Sequence, residues 1–192
     1  MGRTKYWPIG IVFLTLAMLL SSCSVNVKKE NNGQGKQVDI STPMGGIHVS
    51  KEASPEDVGI AIYPGATRKE KGNGENKSAN VNLSSFGYGL RVVVLEYESN
   101  DAPEKVVAFY KDQLTKYGSV LVCHTAGFDM NADVKRSDGS SHELTCEADH
   151  GHNVELKVGT KENQHIVAIE PSGGGSNFSL VYVRTHGKDA EI

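Results

Sequence analysis

An apolar run from Ile9 to Leu20, broken only by Gly10 and Thr15, follows Arg3 and Lys5 and stops at Ser21-Ser22-Cys23. A membrane-spanning helix needs about 20 apolar residues, so this run is too short to span comfortably. A basic start, an apolar centre and small residues before a cut are the three parts of a secretory signal. No other feature constrains folding as much. Residues 1–22 read as a leader, and whatever folds must do so from Cys23 onward, in an exported setting where disulfides persist.

The string Leu20-Ser21-Ser22-Cys23 resembles the lipobox of bacterial lipoproteins. The resemblance implies that Cys23 becomes the first residue of the mature protein, with a diacylglycerol on its sulfur and an acyl chain on its amine. Each buried methylene contributes about 0.8 kcal/mol and one chain anchors only weakly, so two or three chains hold a protein on a membrane without a spanning helix. Ser24 occupies the position where, in double-membrane bacteria, an aspartate favours retention in the inner membrane. The resemblance therefore implies the outer membrane, facing the periplasm, rather than the inner.

Without Arg3 and Lys5 the chain carries 18 basic and 23 acidic side chains, a net charge of −5. A mildly acidic chain with no basic stripe is a poor match to nucleic acid. The length after the leader fits one domain. Cys123 and Cys146 remain once Cys23 is assigned to the anchor. An even pair in an oxidising compartment reads as a disulfide; two free thiols or a metal-binding pair are the alternatives.

The polar composition of 23–36 reads as a flexible tether, 37–186 as a single domain, and 187–192 as a disordered tail. Arg68 to Lys77 and Pro171 to Asn177 read as exposed loops. Two segments align without a gap, Val38 to Val49 with Val81 to Val92, each reading as two short strands around a Gly-containing turn. Each precedes a helix-start signal, Ser54-Pro55-Glu56-Asp57 and Asp101-Ala102-Pro103-Glu104. The second opens the clearest helix, Ala102 to Tyr117, with Asp101 as N-cap and Glu104 completing a capping box. Val106, Val107, Tyr110, Leu114 and Tyr117 share one of its faces. Strands are expected at Leu90–Tyr97, Val120–His124, His142–Ala148, Val154–Val158, His165–Glu170 and Ser179–Arg184. The expected fold is α+β, an antiparallel β-sheet meander packed against one main α-helix.

Ile62-Tyr63-Pro64-Gly65-Ala66, Glu98-Ser99 and Val106-Val107-Ala108-Phe109-Tyr110-Lys111 resemble a group of exported bacterial proteins of unassigned role. In that group a Tyr-Pro-Gly-Ala element precedes a strand and a Phe-Tyr-Lys helix. The resemblance covers roughly residues 38 to 184 and implies no activity, substrate or catalytic residue.

Chemistry-bearing patterns are sparse. His150 and His152, with Asp149, His124 and His142 near in sequence, are the weak metal candidates; zinc sites ordinarily carry a second ligand pair, and Asp-His-Gly-His-Asn is also an ordinary hairpin turn. Cys123 and His124 are neighbours on a strand and so point to opposite faces. Glu96 and Glu98 read as a solvated strand face and Ser176 as a loop serine. Tyr63, Phe86 and Tyr88 lie in expected turns, where they either seal the sheet ends or anchor a partner. No catalytic residue and no cofactor is assigned. The leading expectation is a lipid-anchored envelope protein with a non-catalytic binding or scaffolding domain and an unidentified envelope partner. The rivals are a metal-dependent factor or enzyme using the His150/His152 turn, and a periplasmic small-ligand carrier with a pocket between helix and sheet.

Overall fold

The computed structural model describes residues 24–29, 36–50, 52–70, 77–126, 142–146 and 150–186. The strands are β1 (Ser24–Lys29), β2 (Lys36–Thr42), β3 (Gly45–Ser50), β4 (Thr67–Arg68), β5 (Ser78–Ser85), β6 (Tyr88–Ser99), β7 (Leu121–Thr125), β8 (Asn153–Thr160), β9 (Asn163–Ser172) and β10 (Gly175–His186). Helix α1 spans Pro55–Val58 and α2 spans Pro103–Leu114, with a 3-10 turn at Thr115–Tyr117. All ten strands belong to one antiparallel sheet of order β1-β2-β3-β5-β6-β10-β9-β8-β7, and β4 pairs with β6.

This corrects the α+β expectation: the fold is predominantly β. Segments that read as separate hairpins join one sheet, because β3 pairs with β5 in register, Val49 opposite Val81 and Ile47 opposite Leu83. The strands also outrun their apolar cores. The glycine-rich stretch expected as a loop at Pro171–Asn177 is mostly strand, and Gly173, at φ 60°, takes the positive φ of a tight turn between β9 and β10. Ser24–Lys29, within the segment read as tether, pairs with Lys36–Ser41. His142–Cys146, expected as strand, is irregular; the remainder of that expected strand, and the tail at 187–192, lie outside the described residues.

Helix α2 explains the connectivity. The chain leaves β6, crosses the sheet as α2, and enters at the far edge as β7; β8, β9 and β10 then return to the open edge of β6. Val106, Tyr110 and Leu114 recur at four-residue spacing and are fully buried. They meet Val93, Leu95 and Tyr97 of β6, Phe178 and Leu180 of β10, Val167 and Ile169 of β9, and Leu156 and Val158 of β8 in one core. The space between α2 and the sheet is thus filled by side chains. Pro103 occupies the first turn, where its missing N–H is harmless. The N-cap is Ala102, one residue later than expected. Asp101 instead accepts hydrogen bonds from Lys105 Nζ at 2.8 Å and from the Tyr63 hydroxyl at 2.9 Å. The Ser54 signal does operate: its N–H and hydroxyl both donate to Asp57 at 3.0 and 3.1 Å.

Candidate functional site

The strands of the sheet have two apolar sides over part of its width. On β6, Val93, Leu95 and Tyr97 face the helix and are buried, so Leu90, Val92 and Val94 face away. Register carries this second side across neighbouring strands. Val38, Val49, Val81, Val92 and Val183 form one row. Ile40, Ile47, Leu83 and Leu90 form a second. Ala79, Val94, Val181 and Ile166 form a third. All are partly exposed, Ile47 at 38% and Leu83 at 40%.

The paired segments seen in the sequence produce this surface. Val38 and Val49 match Val81 and Val92, and the hairpins lie side by side in register, so like residues fall in line. Their alternate positions, Asp39, Ser41, His48, Asn82 and Ser84, are polar and lie on the helix side of the sheet, beyond the core. The His48 ring nitrogen meets the Asp39 carboxylate there.

Two features bound the aliphatic rows. Toward β7, Cys123 and Cys146 form a disulfide with an S–S distance of 1.97 Å. Cys123 stands opposite Glu155, on the side away from α2, so the bridge pins His142–Cys146 on that face. Beside it Lys157, only 8% exposed, pairs with Glu155 at 3.3 Å. Toward the β9–β10 turn, Lys77 pairs with Glu96 at 3.5 Å and Glu98 is exposed.

The other expected site residues do not converge. His150 and His152 are exposed in the link before β8, while His142 contacts Glu162 at 2.9 Å near the β8–β9 turn. Asp149 lies outside the described residues, as does Cys23. Among the described residues no three His, Cys, Asp or Glu side chains gather at one point, and Cys146 is committed to its bridge. Ser176 is buried and donates to the Asp101 carbonyl at 3.0 Å, a structural duty. Tyr63 does seal the core, edge-on to Phe109 and Phe178. Phe86 and Tyr88 do not: they are 66% and 63% exposed.

Comparison of the chain with protein-family models, with curated proteins and with solved structures gives no match. The aliphatic face was missed from the sequence, although the signal was there. Leu90 to Leu95 is apolar at nearly every position, as in a strand covered on both sides, whereas one helix can cover only one.

Proposed function

We propose that this is a lipid-anchored cell-envelope protein, held by acyl chains on Cys23 and facing the periplasm at the outer membrane. Its domain binds without catalysis, through the open aliphatic face. The observation that carries the reading is the three in-line rows of Val, Ile and Leu on the side of the sheet that α2 leaves bare. The occupant is the apolar surface of another envelope protein. Small ligands prefer concave sites, and this face is a sheet surface. With strands about 4.8 Å apart and rows about 6.8 Å apart, it spans roughly 24 Å by 14 Å. Doubled over two partners, such a footprint falls in the size class of transient protein contacts.

A photocrosslinking amino acid placed at Leu83, on the open face, and separately at Asn82, on the opposite face, tests this in intact envelopes. The expected result is a single discrete protein adduct from Leu83 that Ile47→Lys in the same chain abolishes, and none from Asn82. Equal adducts from both positions, or adducts to lipid or to a second copy alone, would overturn the binding reading. The mass of the mature N-terminus tests the anchor: an unmodified Cys23 would refute it.

A further inference from the structure

One end of the sheet carries the most exposed large apolar side chains among the described residues. The turn between β2 and β3 presents Met44, 58% exposed, and the turn between β5 and β6 presents Phe86 and Tyr88. The Phe86 N–H donates to the Met44 carbonyl at 3.1 Å, so the two turns are joined directly. The hollow between them, about 410 Å³, is lined by no carboxylate; its titratable side chains are Tyr88 and His186.

Phe86 is the one non-glycine residue with positive φ among the described residues, at 50°, followed by Gly87 at 83°. Two-residue hairpin turns of this kind favour Asn, Asp or Gly at the first position. A Cβ in the left-handed region crowds the following carbonyl oxygen, an energetic cost that glycine avoids. A ring that is two-thirds exposed recovers little of that by packing within the domain. The strain is accounted for if the ring meets an apolar phase outside the domain.

The position of Ser24, the first described residue, points to that phase. Ser24 pairs with Ser41, which pairs with Gly46, then Ser84, then Gly89. One residue beyond that row, on the same side, lie the turn residues Thr42, Gly45, Ser85 and Tyr88. Ser24 is joined directly to Cys23, so the chain comes into β1 at the end of the sheet where both turns project. We infer that Met44, Phe86 and Tyr88 are a membrane-contacting edge, seated in the interface of the bilayer that the Cys23 lipid enters. This rests on the anchor proposed above. Aromatic side chains favour that interface, and apolar contact there adds to the hold of the acyl chains. With this edge down, the sheet stands away from the membrane and its aliphatic face is presented sideways.

Tryptophan reporters in the full chain test the edge. Trp7 is the sole native tryptophan, so Trp7→Phe combined with Phe86→Trp, Met44→Trp or Asn100→Trp gives one emitter each, whether or not the leader is removed. Asn100 is exposed and adjoins Ser99 at the other end of β6, roughly 37 Å of strand away from Tyr88. The cell-processed protein is reconstituted into phosphatidylethanolamine and phosphatidylglycerol vesicles containing shallow-brominated phosphatidylcholine. Expected is loss of most emission from Phe86→Trp and Met44→Trp, with little from Asn100→Trp. Equal quenching at both ends on acylated protein overturns the inference and leaves the anchor standing. If mass spectrometry finds Cys23 unmodified, the same chains are added to preformed vesicles. Selective quenching of the turn reporters then upholds the edge without the anchor, and its absence overturns the edge. Met44→Trp decides the matter should Phe86→Trp fail to fold by near-ultraviolet circular dichroism.

Discussion

Tyr110 is fully buried, and its hydroxyl accepts the Tyr63 N–H at 3.0 Å. Burial drives its phenol far above the ordinary range, so it stays neutral at any working pH. Its ring packs against Tyr63, Phe109 and Phe178. Tyr110→Phe retains those ring contacts and strips the acceptor from a buried N–H. The expected loss is about 1–3 kcal/mol in urea unfolding with an unchanged slope. An effect near zero would mean that water replaces the hydroxyl. Helical spacing identified Tyr110 as a core residue; its partner, 47 positions away in the link between α1 and β4, is not encoded in any local pattern.

At the scale of elements, α2 and the disulfide each hold something that would otherwise separate from the sheet. Leu114 is buried in the last turn of α2, while Lys111 in the same turn is exposed. Leu114→Ala is expected to cost about 2–5 kcal/mol, and Lys111→Ala to stay within about 0.5 kcal/mol. Equal losses in thermal unfolding would contradict the facing of the helix. The Cys123–Cys146 bridge closes a separation of 23 residues and fastens a strip with no regular structure of its own to β7. Replacing both cysteines with alanine should lower stability by about 2–5 kcal/mol, chiefly by freeing the unfolded chain, with the fold retained. Thiol counting on denatured, unreduced mature protein should find neither cysteine reactive.

For the whole molecule, pH reports how the packed segments depend on one another. His165 of β9 stacks on Tyr117 with ring centroids 4.0 Å apart and interplanar angle 17°. Burial, then the Lys116 charge, push its pKa down, against a backbone hydrogen bond at Val58 that raises it. A histidine whose folded pKa lies below its unfolded value contributes full stability above the unfolded value and loses it as pH falls. With an unfolded pKa of about 6.5, stability should decline below that pH. Asp57 is held below the usual carboxylate range, first by the Ser54 N–H and also by Arg91 at 2.7 Å. Its contribution is present above an unfolded pKa of about 3.9 and is lost further into acid. Urea unfolding across pH should therefore show two successive declines toward acid. His165→Gln should remove the first and spare the second; a retained first decline would place its origin elsewhere.

What could be read from the chain alone followed from local rules. The face of α2 is a 3.6-residue period, and the Val38–Val49 and Val81–Val92 hairpins are a two-residue period around glycine. The disulfide followed from two cysteines in a chain whose leader reads as an export signal. These patterns do not say which hairpin lies beside which. The same apolar alternation fits a helix-backed meander or a wide sheet with one side bare. Pairing of β3 with β5, and of β10 with β6, settled it, through backbone hydrogen bonds that any residue except proline can make. Those pairings also put Val38 in line with Val183, and brought Met44 and Phe86 to the end of the sheet where Ser24 begins β1. Sequence specified which residues are apolar. Only tertiary pairing decided that they form one continuous face and one shared edge, because strand order is set by contacts between residues far apart in the chain.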